Sequence, residues 1–253
     1  MNDAPIINKI EVVVFEDVLT NVGKDYNTFN QVYVPNSNLT VRSNILRIHT
    51  DQGIVGEYPG VTESALADVK MAAQYLVGKN SLSREAIYND VKRGLRHTAM
   101  LGVGVIDICL WDIAGKLYGE PIYRLLGGEK KPIPCYASTL HGDENGGLTS
   151  PDDFLEFAFQ CQQMGYPAFK VHGWGRARDN LGREIENVKK LGDKLSGTMD
   201  LMLDPACEIK NFSDTIKLGR ACDEANFFWL EDPYQDGGVS QFAHKKLKEM
   251  IKT

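Results

Sequence analysis

The sequence predicts an α+β domain over residues 1–130, followed over residues 131–253 by a parallel β/α domain of about four βα units, either an open sheet or half of a barrel. Three observations lead there. Strand-like segments fall before about residue 60 and helix-like ones follow to about residue 130, the order of an α+β fold. Beyond residue 131, apolar strands alternate with amphipathic helices at roughly 30-residue spacing, which requires parallel strands joined by crossover helices. No Gly-rich phosphate loop follows the first of these strands, where Ser138-Thr139-Leu140-His141-Gly142 stands instead. A closed eight-unit barrel takes roughly 250 residues, and residues 131–253 number 123. Length favours an open sheet, so motif content must arbitrate.

In the first domain, residues 7–15 are rich in Ile and Val, and residues 38–49 alternate before a turn at Asp51-Gln52-Gly53. A short strand over 54–57 completes a hairpin. Between the first two strands, the polar stretch 21–37 reads as a loop longer than the common connection and therefore as a candidate lid. The period then turns helical. Thr62-Glu63-Ser64 opens a helix whose apolar face carries Leu66, Val69, Met71-Ala72 and Tyr75-Leu76, and a second helix is predicted over about 83–95. A third, with Val103, Ile106, Leu110, Ile113 and Leu117, is apolar enough to be buried, and Gly119-Glu120-Pro121 stops it.

In the second domain, residues 133–138 read as a strand. Ser150-Pro151-Asp152-Asp153 is a strong helix start, with a capping hydroxyl, Pro at the first helical position and acids in the first turn. Strands are then predicted at 168–172, 200–204 and 227–231, with helices over about 180–195, 213–226 and 240–252.

Composition excludes several classes. No segment approaches the run of about 18 charge-free apolar residues that a membrane span needs, so no membrane partner is expected. Acidic residues outnumber basic ones 34 to 28, which argues against nucleic acid as a partner. The five cysteines, at 109, 135, 161, 207 and 222, form no CxxC pair and read as buried free thiols of a reducing compartment. The N-terminal residues lack the basic and apolar regions of a secretory signal, and a cytoplasmic location is expected.

The chemistry gathers at strand ends. The second strand of the β/α domain closes with Lys170-Val171-His172, the third with Asp204 and the fourth with Glu231-Asp232-Pro233. Residues two apart on a strand share a side, so Lys170 and His172 can project into one site. In a barrel, Asp204 and Glu231 from adjacent strands converge on the same mouth. Two bare carboxylates there repel unless a cation joins them, and oxygen donors suit Mg²⁺. An acid/base pair, Lys170 and His172, thus faces a hard-metal pair, Asp204 and Glu231. Any one of these residues alone could be a solvated group at a loop edge; four of them at three consecutive apolar strand ends require a ligand to justify them.

At this point the sequence resembles a family. The stretch Gly104-Val105-Ile106-Asp107-Ile108-Cys109-Leu110-Trp111-Asp112-Ile113-Ala114-Gly115-Lys116, followed by Pro121-Ile122-Tyr123-Arg124-Leu125-Leu126-Gly127-Gly128, resembles the signature helix and exit of the mandelate racemase and muconate-lactonizing branch of the enolase superfamily. Lys170-Val171-His172 falls where that family carries a Lys-x-Lys base motif. Asp204 and Trp229-Leu230-Glu231-Asp232-Pro233 fall on its first two metal ligands. Two departures stand out: His172 replaces the second Lys, and Ala206 stands where many relatives carry Asn.

The resemblance covers essentially the whole chain. It implies an α+β N-terminal capping domain (1–130) followed by a (β/α) barrel, of which residues 131–253 supply about four βα units, a half barrel. It implies Mg²⁺-dependent abstraction of a proton alpha to the carboxylate of a small-molecule substrate, with Lys170 polarising that carboxylate or assisting the base and His172 at the position of the base. The superfamily's Lys or His base and Mg²⁺-stabilised ene-diolate are established general knowledge. A hydroxy-acid or acid-sugar dehydratase is the expected activity; the alternatives are a racemase or epimerase of the same superfamily, or a catalytically incomplete fragment or assembly subunit. Tyr26 and Asn27 in the candidate lid, and Thr139 and His141 at the end of the first barrel strand, are the expected substrate-binding residues. Relatives carry a third acidic ligand after the fifth strand, so a homo-oligomer or a complementing chain supplying the rest of the barrel is a further expectation.

Overall fold

A computed structural model of the chain describes residues 4–25, 28, 30–174, 180–235 and 241–253. It divides into two compact units, residues 1–18 with 40–132, and residues 19–39 with 133–253.

The first unit pairs a sheet with helices. Strands β1 (Ile7–Lys24), β2 (Gln31–Thr50) and β3 (Val55–Pro59) lie in the order β1-β2-β3. β2 and β3 are antiparallel, with Arg47 opposite Glu57 and Ile48 opposite Gly56. Helices α1 (Glu63–Leu76), α2 (Arg84–Gly94), α3 (Leu101–Tyr118) and the single turn α4 (Ile122–Leu125) follow. Thr62 caps α1 by accepting the Ala65 N–H at 3.2 Å, and Gly119 closes α3 in the left-handed conformation. The core joins Ile7, Leu46 and Ile48 of the sheet to Leu66, Val69, Ile106, Leu110 and Ile113. Gly56 lets α3 approach the sheet: a Cβ there would lie 2.0 Å from the Cys109 carbonyl oxygen.

The polar stretch 21–37 is a hairpin rather than a loop, and this corrects the sequence reading. β1 runs on to Lys24 and β2 begins at Gln31, with a turn in which the Asp25 N–H donates to the Asn30 carbonyl at 3.0 Å. Asn21 and Asn36 are both left-handed (φ 58° and 61°), and the Asn36 N–H donates to the Asn21 side chain at 2.9 Å. Asparagine tolerates that conformation, so residues that resemble turn punctuation sit within the strands.

The second unit is a parallel sheet covered by helices. Strands β4 (Ala137–Ser138), β5 (Ala168–His172), β6 (Asp200–Asp204) and β7 (Trp229–Leu230) lie in sequential order, joined through α5 (Pro151–Gln163), α6 (Leu181–Leu195) and α7 (Phe212–Glu224), with α8 (Gln241–Met250) after β7. Sequential order settles the architecture: a doubly wound sheet reverses its order at a switch point, whereas successive neighbours are the arrangement of a barrel wall. β4 and β7 are shorter than the sequence predicts. Ser150 caps α5 by accepting the Asp153 N–H at 3.3 Å, with Pro151 at its first position. Phe154, Phe169, Val171, Leu191, Leu201, Leu203 and Leu218 form the core between sheet and helices.

All five cysteines are free; Cys109, Cys161 and Cys222 are buried, while Cys135 is exposed and Cys207 half-buried, against the expectation that all are buried. Among the described residues no helix is long and apolar enough to cross a membrane.

Candidate active site at the ends of the parallel strands

Register brings the four strand-end residues together. His172 lies directly opposite Asp204, Lys170 opposite Met202, and Leu203 opposite Leu230, so that Glu231 follows immediately after the end of β7. The Lys170 ammonium lies 3.0 Å from Asp204 Oδ2 and 2.8 Å from Glu231 Oε2. His172 Nε2 lies 2.7 Å from the same Asp204 oxygen. Lys170 and Asp204 are each only 6% exposed, whereas Glu231 is half-buried.

The charges are mutually stabilised. Burial opposes ionisation of Asp204, yet the hydrogen bond and charge of His172, the Ala206 N–H at 2.8 Å and Lys170 hold its pKa down to about 2. Burial also opposes charge on His172, but the Asp204 carboxylate and the Thr139 carbonyl raise its pKa above the ordinary histidine value. The same competition on Lys170 ends with the Glu231 and Asp204 carboxylates raising its pKa. His172 Nδ1 lies 2.8 Å from the Thr139 carbonyl oxygen, which can only accept, so Nδ1 carries hydrogen. With Nε2 facing a carboxylate, the ring is poised as a proton donor.

Strained backbone frames the carboxylates. Ala206 (φ 51°), Cys207 (φ 62°) and Asp232 (φ 34°) are all left-handed without being glycine. The Cys207 N–H donates to the Asp232 carbonyl at 2.8 Å and the Ile209 N–H to the Pro233 carbonyl at 3.0 Å, which ties the ends of β6 and β7 together.

Thr139 and His141, the expected substrate contacts on the first barrel strand, are buried at 4% and 5% exposure. Thr139 Oγ1 accepts the His172 N–H at 2.9 Å, so it holds the histidine's backbone. His141 Nε2 lies 3.8 Å from Glu208 Oε1, and burial lowers its pKa, with Glu208 and Asp25 acting in the opposite direction. Among the described residues neither ring nitrogen of His141 has a hydrogen-bond partner. Tyr26 and Asn27 lie outside the described residues. In the same unit the Asn145 side-chain amide donates to the Tyr33 carbonyl of β2 at 3.1 Å.

Sequence reading missed Glu184 and Glu208, 3% and 2% exposed behind the strand ends. A signal existed for Glu184: it shares the apolar stripe of Val188, Leu191 and Leu195, an unusual place for a carboxylate.

The oxygen donors at the strand ends suit a divalent metal. Asp204 and Glu231 both reach one cation, the Lys170 ammonium, so the two carboxylates converge on a single positively charged point. Mg²⁺ is commonly held by one or two carboxylates with water and substrate oxygens completing the shell, and the pair fits that requirement. Among the described residues no cluster of three or more His, Cys, Asp or Glu side chains is arranged as a metal site.

Residues 34–127 match the family model for the mandelate racemase / muconate lactonizing enzyme N-terminal domain, and residues 153–251 match the enolase C-terminal domain-like model. An N-succinyl-L-Arg/Lys racemase of Bacillus cereus is 23% identical over 217 residues, 81% of this chain and 55% of the relative. A D-gluconate/D-galactonate dehydratase of Picrophilus torridus is 32% identical over 151 residues, 56% of this chain and 36% of the relative. The crystal structure of D-glucarate dehydratase from Agrobacterium tumefaciens complexed with magnesium superposes with a TM-score of 0.81 at 25% identity, over 97% of this chain and 65% of that one. The chain thus spans about half the length, or less, of the curated relatives it matches. With both of the family's domain models matched in order and the fold shared along nearly its whole length, the chain belongs to the enolase superfamily, in its mandelate racemase/muconate-lactonizing branch.

Proposed function

We propose that the chain carries the substrate-activating half of an Mg²⁺-dependent enzyme that abstracts a proton alpha to a carboxylate, acting as a hydroxy-acid or acid-sugar dehydratase. The observation that carries the reading is the convergence of Lys170, His172, Asp204 and Glu231 at the ends of three adjacent parallel strands. Asp204 and Glu231 would hold the metal, which when bound supplies a positive charge that stabilises the enediolate. Lys170, already held between the two carboxylates, is placed to bind a substrate carboxylate oxygen and draw electron density from the alpha carbon. His172, at the position of the base, would take up the alpha proton at Nε2 once that nitrogen is unprotonated and become a donor by doing so, while Thr139 keeps Nδ1 protonated and the ring oriented. Thr139, His141, Tyr26 and Asn27 are the proposed substrate-side contacts.

Dehydratases among the relatives support the first reading, and the racemase of Bacillus cereus favours a second, epimerisation at the same carbon. The test is incubation with aldonic, aldaric and N-acylamino acids plus Mg²⁺ in D₂O. A dehydratase yields a 2-keto-3-deoxy product, a racemase yields deuterium at the alpha carbon with no loss of water, and neither signal from any substrate class overturns the proposal. Turnover is expected to vanish on chelation and in Glu231→Gln.

A further inference from the structure

Glu184 stands in the first turn of α6, 3% exposed, and its Oε1 accepts the Trp174 N–H at 2.9 Å. A Cβ at residue 173 would lie 2.6 Å from Glu184 Oε2, so the carboxyl packs directly against the chain at Gly173 and a side chain there would displace it. Residue 172, immediately before, is the histidine of the candidate site. Its backbone N–H and Nδ1 are engaged by Thr139 from the β4 side, at 2.9 and 2.8 Å. The chain leaving the site is therefore gripped from both directions.

The Trp174 side chain is held from α6 and from the segment before α5. The Arg183 guanidinium lies 3.7 Å from the centre of the Trp174 ring, and the Trp174 indole N–H donates to the Leu148 carbonyl at 2.6 Å. Burial pushes the Glu184 pKa up to about 8, against the Trp174 N–H and Arg183 and with Glu144 and Glu208 reinforcing it. At neutral pH the group is thus an uncharged acid that accepts a hydrogen bond without burying a charge.

We propose that Glu184 is a positioning residue for His172: its carboxyl group fixes the Gly173 and Trp174 backbone and, through it, the direction of the His172 imidazole. A carboxyl that only filled the helix layer would need neither the bond to the backbone two residues after the histidine nor a glycine cleared to receive it. The catalytic consequence rests on the proposed role of His172, but the positioning itself is read without turnover.

The experiment is ¹⁵N NMR of the histidine-labelled protein at one neutral pH, without metal, with His172 signals assigned by their loss in His172→Gln. Glu184→Gln, which keeps an uncharged acceptor, is expected to retain the wild-type His172 ring signals and the slow exchange of the Trp174 amide. Glu184→Ala is expected to move the ring signals away from their wild-type values, as the His172 hydrogen bonds to Thr139 and Asp204 change geometry, and to speed Trp174 amide exchange about tenfold, the effect of one lost hydrogen bond. Should Glu184→Ala not fold, Glu184→Asp, which withdraws the carboxyl by one methylene, is expected to show the same two changes. Unchanged His172 signals in the folded variant, or equal displacement in Glu184→Gln, overturn the proposal. If His172→Gln retains turnover, the proton-transfer role falls while the positioning result stands, so the two failures are distinguishable.

Discussion

At the scale of single residues, the candidate site is a balance of buried charge. Lys170 sits between two carboxylates, and removing one member of a buried ionic group leaves the others uncompensated. Lys170→Met is therefore expected to lower stability by about 3–5 kcal/mol in urea denaturation, and added Mg²⁺ to restore part of it, since a bound cation replaces the lost charge. No loss of stability in this variant would show that the ammonium is not needed to hold Asp204 and Glu231. Glu184 gives a pH dependence of definite sign. Its pKa rises from 4.5 to about 8 on folding, so between those values the folded chain keeps a proton that the unfolded chain has lost. That site's contribution to stability is level below the lower value, declines as pH rises through the interval and levels off above it. Glu184→Gln is expected to flatten this decline in melting curves recorded from acid to mildly alkaline pH. Asp204, Lys170 and His172 were legible in the sequence because each ends an apolar run; Glu184 was not singled out, because a helical stripe with one carboxylate in it looks locally like an imperfect amphipathic pattern.

At the scale of elements, caps and close approaches set the helices in place. Ser150→Ala removes the acceptor for the Asp153 N–H and is expected to cost about 1 kcal/mol, seen as a melting point lower by about 2–4 °C. Gly56→Ala forces a methyl group toward the Cys109 carbonyl, where 2.0 Å is available, and should cost at least the 1–3 kcal/mol or so of an overpacked core. The same measurements showing no change would mean that α3 can lift from β3 without cost. The α5 start, the β5 and β6 strands and the α3 stop were readable because each is specified by residues within one or two turns of itself. The hairpin was not. Its strands are exposed along much of their length, so the inside-outside alternation that marks a strand is weak, and Asn21 and Asn36 resemble turn residues while serving as paired left-handed kinks.

At the scale of the whole molecule, each unit has its own buried core. Phe154→Ala is expected to remove about 3–5 kcal/mol from the second unit. Hydrogen exchange is expected to quicken at Phe169, Val171, Leu201 and Leu203 and to stay unchanged at Leu46 and Ile48 of the first unit; acceleration in both units alike would show that they unfold as one. Apart from the strands read as loop between residues 21 and 37 and the single turn α4, the kinds and order of the main elements were legible in the amino-acid sequence, along with the residues that close the parallel strands, because periodicity, caps and breakers act over a few neighbours. The sequence left open whether the four βα units make an open sheet or a barrel wall, a question that only pairing between distant strands answers, and the sequential order β4-β5-β6-β7 answers it. The placement of His172 opposite Asp204, of Lys170 between two carboxylates and of Glu184 behind Gly173 likewise depends on register and on helix packing. Those relations join residues from 11 to 61 positions apart, too far for local preference to specify, and are set by the burial of apolar surface between sheet and helices.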